Sequence, residues 1–139
     1  MSYDLMVFDP GAAPGRHSEF MVWYAQQTEW SEGHSYNDPT VSIDILRGWF
    51  VDIIQKFPPL NGPLSSDELP DDEASATDYS IGKSIIYCAF AWSKAELAYT
   101  TAFQLAEKHG VGFFNVSSSK SEVWLPASGR LRLAHSGQT

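Results

Sequence analysis

The sequence predicts an α+β domain, a ferredoxin-like sandwich of three helices on a mainly antiparallel sheet of four to five strands. Three observations predict it. A short run of strand formers opens the chain. Two helix-type segments then precede a return to strand character near Asp78. A third helix-type segment is followed by two further strand-type runs. Strand, two helices, hairpin, helix, strand, strand makes two crossovers around a hairpin, which is the split βαβ plan with one added helix and one added strand.

Tyr3 to Phe8 is apolar on both faces and ends at Asp9-Pro10-Gly11, a turn signal. Ser18 to Gln27 places Phe20, Trp23, Tyr24 and Gln27 at i, i+3, i+4 and i+7, one face of a helix. The segment from Glu29 to Pro39 has no period and reads as a polar loop with aromatic anchors. A second helix is expected from Thr40 or Ser42 to Phe57, because Ile43, Leu46, Phe50, Ile53, Ile54 and Phe57 recur at three- to four-residue spacing. Pro58 and Pro59 end it.

Residues 58 to 76 read as a loop, and Asp67 to Glu73 as an exposed acidic run. Tyr79 to Ile81 and Ile85 to Ala91 read as a hairpin turning at Gly82-Lys83, or as one strand with a bulge at Gly82. Ser93 and Glu96 have capping-box spacing, with Trp92 and Leu97 placed as a hydrophobic staple. The stop of this third helix is Lys108-His109-Gly110, with basic groups at the negative helix end and Gly at C′. Its stripe of Ala95, Ala98, Ala102 and Ala106 would let it lie close to a sheet. Val111 to Val116 and Glu122 to Leu125 are the closing strands. The domain is expected to span 1–126, with 127–139 a tail in which Leu131 to Leu133 could add an edge strand.

The chain has 139 residues, 43% of them apolar, and five Trp, enough to bury a core and to exclude disorder for most of the length. Seventeen acidic against nine basic side chains give a formal charge of −8. Nucleic-acid binders concentrate Lys and Arg against phosphates, so that class is excluded, and a basic protein partner is favoured. No apolar run reaches the roughly 18 residues of a membrane span. Without a recognisable signal segment and with one Cys, a cytoplasmic protein is expected.

Catalytic motifs do not stand out. Gly82-Lys83-Ser84 resembles the end of a P-loop, but position 77 is Thr and a strand follows, so the reading is rejected. No G-x-S-x-G, HExxH or G-x-G-x-x-G run occurs. Cys88 reads as a small buried hydrophobe and His109 as a cation at a helix C-terminus. No catalytic residue, cofactor or metal is assigned. The polar constellation is the loop with Glu29, Glu32, His34, Tyr36 and Asp38. It offers donors for a divalent ion or an acid–base pair. The structural alternative has Trp30 and Tyr36 plugging the core, His34 bonding locally and Asp38 capping the next helix.

Partner-binding candidates come from the sheet and the acidic loop. Ile85, Tyr87 and Ala89 share one strand face, opposite Ile86, Cys88 and Phe90, and Trp124 stands opposite Val123 and Leu125. One apolar sheet face is expected to lie open unless the added helix or a second chain covers it. Tyr87, Ile85 and Trp124, with Asp71, Asp72 and Glu73, are therefore the contact candidates.

Two stretches carry a resemblance. Met1-Ser2-Tyr3-Asp4-Leu5-Met6-Val7-Phe8 resembles the start of small uncharacterised bacterial proteins beginning MSYDLxVF. Ala102 to Leu125, through Leu-Ala-Glu-Lys-His-Gly, Val-Gly-Phe-Phe-Asn-Val and Glu-Val-Trp-Leu-Pro, is similar to the closing helix and hairpin of that group. The group includes suspected immunity proteins of polymorphic toxins. The resemblance implies a protein-binding domain of immunity or inhibitor type and supplies no catalytic residue. Two other readings stand beside it: a small enzyme or ligand- or metal-binding domain using the 29–38 loop, and a homodimeric scaffold.

Overall fold

The first strand, β1 (Tyr3–Phe8), is the centre of the architecture. In the computed structural model, which describes residues 2–60, 62–63 and 73–137, Leu5, Met6, Val7 and Phe8 are all essentially inaccessible to solvent. Side chains alternate across a strand. Leu5 and Val7 therefore enter one core, and Met6 and Phe8 a second core on the other face.

The further elements are α1 (His17–Gln27), α2 (Asp44–Ile53), the hairpin β2 (Asp78–Ile81) and β3 (Ile85–Phe90), α3 (Ala95–His109), and the strands β4 (Gly112–Phe114), β5 (Val123–Ala127) and β6 (Arg130–His135). The sheet order is β2-β3-β1-β4-β5-β6, and every neighbouring pair is antiparallel. The class is α+β with three helices, and the sheet has six strands rather than four to five. The extra strand comes from the expected tail. β5 runs past Pro126 to Ala127, a turn with Ser128 and Gly129 at positive φ follows, and β6 pairs back on β5.

The two sheet faces are covered differently. Leu46, Trp49, Phe50 and Ile53 of α2 and Ala98, Ala102 and Ala106 of α3 pack on Leu5, Val7, Ile86, Cys88, Phe90 and Phe113. The alanine stripe lets α3 approach closely, and the Trp49 indole N–H donates to the Ala102 carbonyl at 3.2 Å. Opposite, Phe20 of α1 lies edge-on against Phe8 and Phe114. The added helix thus covers the face that was expected to lie open, and Ile85 is sealed beneath it. A side chain at position 112 would collide with the Phe8 ring at 2.3 Å, so Gly112 gives that ring its space across the β1–β4 pair.

Local expectations fail where tertiary bonds compete. Pro39–Val41 is a 3-10 turn, and α2 starts only at Asp44. Ser42 is extended because its hydroxyl donates to the Gly82 carbonyl at 2.6 Å. At the far end, 3-10-type bonds replace the helix before Phe57, as the Pro that follows demands. The Ser93–Glu96 capping box does not form. The chain reaches α3 through a 3-10 turn, Trp92–Lys94, with no side-chain cap. Trp92 and Leu97 are about half exposed rather than stapled, and Trp92 leans on Tyr3. The helix stop is as expected, with Gly110 left-handed at φ 69°. Among the described residues no helix is long and apolar enough to cross a membrane.

Urea melts should separate these two features. Ala102→Leu is expected to cost about 1–3 kcal/mol by overpacking against Trp49, whereas Ser93→Ala should stay within about 0.5 kcal/mol of the unsubstituted protein. A full capping loss of about 1 kcal/mol at Ser93 would contradict the 3-10 start.

Candidate functional site

The rings of helix α1 lie against Phe8 of β1 and Phe114 of β4. The helix ends at Gln27, and beyond it the chain swings across the sheet as the 28–38 loop. Between helix end, loop and hairpin lies a cleft of about 300 Å³, lined by Tyr24, Thr28, Trp30, Asp78, Ser80, Tyr87 and Ala89.

The strand register builds its floor. Ala89 is paired with Asp4 of β1 on one side and with Asp78 of β2 on the other. Tyr87 is paired with Met6 and Ser80 in the same way. Residues directly opposite across a ladder share a face. Two carboxylate-bearing residues therefore flank the Ala89 methyl, with backbones two strand spacings, roughly 9–10 Å, apart. The small Ala89 leaves the space between them open.

The Tyr87 hydroxyl donates to Asp4 Oδ2, and the Ser2 hydroxyl donates to Asp4 Oδ1 at 2.5 Å. The Asp4 backbone is held by Ser117, whose hydroxyl accepts from the Asp4 N–H at 2.8 Å. Burial, then the Asp4 carboxylate, raises the Tyr87 phenol well above its ordinary value, so it stays a neutral donor. Tyr24 beside it is raised as well, mainly by burial. Among the described residues neither Asp4 nor Asp78 forms an ion pair.

Trp30 forms the opposite wall. Its backbone is left-handed at φ 55°, a conformation that costs an L-residue with a bulky side chain about 1–2 kcal/mol. The indole stands edge-on to Tyr36 and Tyr87, with ring centres 5.0 and 6.2 Å away. The fold thus holds a strained backbone with this ring at the cleft, a pattern that clusters at binding sites.

The remaining loop residues secure the wall to the hairpin. The Tyr36 carbonyl accepts from the Ile81 N–H at 2.8 Å. Glu32 Oε1 accepts from the Lys83 N–H at 3.1 Å, and its other oxygen fills the space where position 82 lacks a Cβ. His34 Nε2 meets the same Glu32 oxygen at 2.7 Å, while Nδ1 meets the Ser35 carbonyl at 2.8 Å. Both ring nitrogens face acceptors, so the doubly protonated ring satisfies both. The imidazole pKa is accordingly raised, first by Glu32 and then by Ser35.

Asp38 caps the 3-10 turn through Thr40, which lowers its pKa. Glu29 is exposed. The five loop candidates therefore do not converge as a metal site, and no group of three ligating side chains does so among the described residues. The structural alternative describes the loop: Trp30 and Tyr36 anchor it, His34 bonds within it, and Asp38 caps.

The partner candidates separate. Tyr87 lines the cleft, but Ile85 is fully buried and cannot touch a partner. Trp124 lies on the opposite sheet face against Phe103. Glu73 is exposed on a short 3-10 turn, and Asp71 and Asp72 lie outside the described residues. Cys88 is buried and its thiol is pushed far up by desolvation, which makes it a poor nucleophile.

A second depression between α2 and α3 holds Arg47, Asp52, Lys108 and His109. There Asp52 accepts from Lys108 at 2.9 Å and from His109 at 2.7 Å. Those three groups already serve each other, and the two bonds lower the Asp52 pKa, first through Lys108 and then through His109.

Sequence reasoning missed Asp4, Tyr24, Thr28, Asp78, Ser80 and Ala89 as site residues. A partial signal existed: the hairpin reading brings the residues before Gly82 beside the strand of Tyr87 and Ala89, but a two-residue turn at Gly82-Lys83 would set Asp78 opposite Tyr87, whereas the observed register sets it opposite Ala89. The chain matches no protein-family model, and no curated protein or solved structure matches it either.

The His34 reading is checked by an NMR titration of the imidazole. Glu32→Gln should lower its pKa toward the ordinary value near 6.5. Because the folded value is raised, the pair stabilises the fold below that ordinary value and ceases to do so as pH rises through the folded one. An unchanged titration in the variant would contradict the pairing.

Proposed function

We propose that the chain is a small acidic protein-recognition domain of the immunity or inhibitor type, meeting a basic partner with the α1 face around this cleft. One observation carries the reading. A preformed aromatic cleft is flanked by two acidic residues with no ion-pair partner among the described residues, in a chain of net charge −8. Protein interfaces favour Tyr and Trp at the core of the patch. The net charge would speed encounter with a basic surface.

The alternative of an enzyme or metal-binding domain draws little support from the site. The lining holds no imidazole or thiol, and Glu32 and His34 are committed to the hairpin turn. The resemblance to the MSYDLxVF group and a cytoplasmic location belong to the same proposal. So does the ferredoxin-like description, which the order β2-β3-β1-β4 and the placement of α2 and α3 on one face support. In that description α1 and the β5–β6 hairpin are additions.

The test uses the purified chain as bait in a lysate of the cells that make it. A basic protein should be captured by the unsubstituted chain, at least tenfold less by Ala89→Leu, which fills the cleft, and undiminished by Val51→Ser on α2. Thermal melts establish that both variants are folded. A captured set that ignores Ala89→Leu would overturn the reading.

A further inference from the structure

We infer that the cleft is a receptor for one guanidinium group, an arginine side chain of the partner, stacked on the Trp30 indole with its N–H groups on the Asp78 carboxylate. The inference rests on the protein-recognition reading and names what that recognition holds.

Size argues first. About 300 Å³ is the bottom of the range for small-molecule sites and suits a single long side chain better than a cofactor. Charge argues second. Asp78 is exposed at the rim and Asp4 lies behind the Tyr87 hydroxyl. An anion would meet the Asp78 carboxylate and the negative field of Asp4 behind it, whereas a cation would gain from both. Shape argues third. Tyr24, Trp30 and Tyr87 bring three aromatic rings to one cleft, and ring faces attract cations, Arg more often than Lys.

The distinction between guanidinium and ammonium follows from the same elements. A guanidinium is flat, weakly hydrated and carries a fork of N–H donors. It can lie on an indole face while two parallel N–H groups meet a carboxylate. An ammonium is compact and strongly hydrated, and it gains less from a cleft lined by three aromatic rings. Ser80 and Thr28 also line the cleft, and their hydroxyls can accept the remaining guanidinium N–H groups. The Tyr87 phenol is held neutral and aimed at Asp4, so it offers a ring without competing for Asp78.

The experiment is an NMR titration of the full chain with blocked arginine (N-acetyl-arginine N-methylamide), following the Trp30 indole N–H at low ionic strength. Blocked citrulline serves as the neutral isostere and blocked lysine as the compact cation. Arginine should produce a saturable shift, with citrulline and lysine each at least tenfold weaker. Asp78→Asn, a change at an exposed edge-strand position, should weaken arginine about tenfold, and Ala89→Leu should abolish its binding. Equal binding of citrulline or lysine, no saturable shift at Trp30, or indifference to Asp78→Asn would overturn the inference. If arginine fails while Ala89→Leu still releases the captured partner, only this inference falls. If the partner is also retained, the recognition reading falls with it.

Discussion

Burial of β1 on both faces is the constraint from which the rest of the structure follows. Leu5 and Val7 need one layer, Met6 and Phe8 another, so helices must lie on both sides of the sheet. The two layers are built differently. One is a helix pair whose alanines bring α3 close to the strands. The other is a single helix that presses aromatic rings onto Phe8 and Phe114. A single eleven-residue helix, about 16 Å long, leaves room on that face of a six-stranded sheet. The loop after α1 fills part of the remainder, and the cleft is what it leaves.

The same strand supplies the polar end of the site. Position 4 lies two residues before Met6 on the α1 face, beyond the point where apolar cover ends. Its half-buried carboxylate is satisfied by the Ser2 and Tyr87 hydroxyls. Strain at Trp30, the hold of Glu32 on the hairpin turn and the small side chain at Ala89 then act together. The first aims a ring, the second fixes the wall and the third keeps the floor open. A site organised before its ligand arrives loses less entropy on binding.

The sequence disclosed the elements more readily than their company. β1 and β3 were legible as two-sided strands because apolar residues occupy every position from Leu5 to Phe8 and from Ile85 to Phe90. The hairpin at Gly82 and the left-handed stop at Gly110 were legible from local chemistry. Ser93 misled because a capping box competes with a 3-10 start, and Ser42 because its hydroxyl finds a carbonyl forty residues away. The sixth strand hid behind Pro126 and Gly129, which look like a tail and instead bound a hairpin. At the site, the loop drew attention for its titratable groups, yet those groups serve the turn. Asp4 joins Asp78 only through Ala89 of β3, which pairs with both β1 and β2, and no local pattern encodes that sheet order.

The most direct test of the account is a crystal structure of the chain soaked with blocked arginine. The account predicts flat density against the Trp30 indole, with nitrogens within hydrogen-bond distance of Asp78 and the Tyr87 hydroxyl still on Asp4. Arginine bound elsewhere on the acidic surface with the cleft empty, or a Trp30 side chain folded into the cleft, would contradict it.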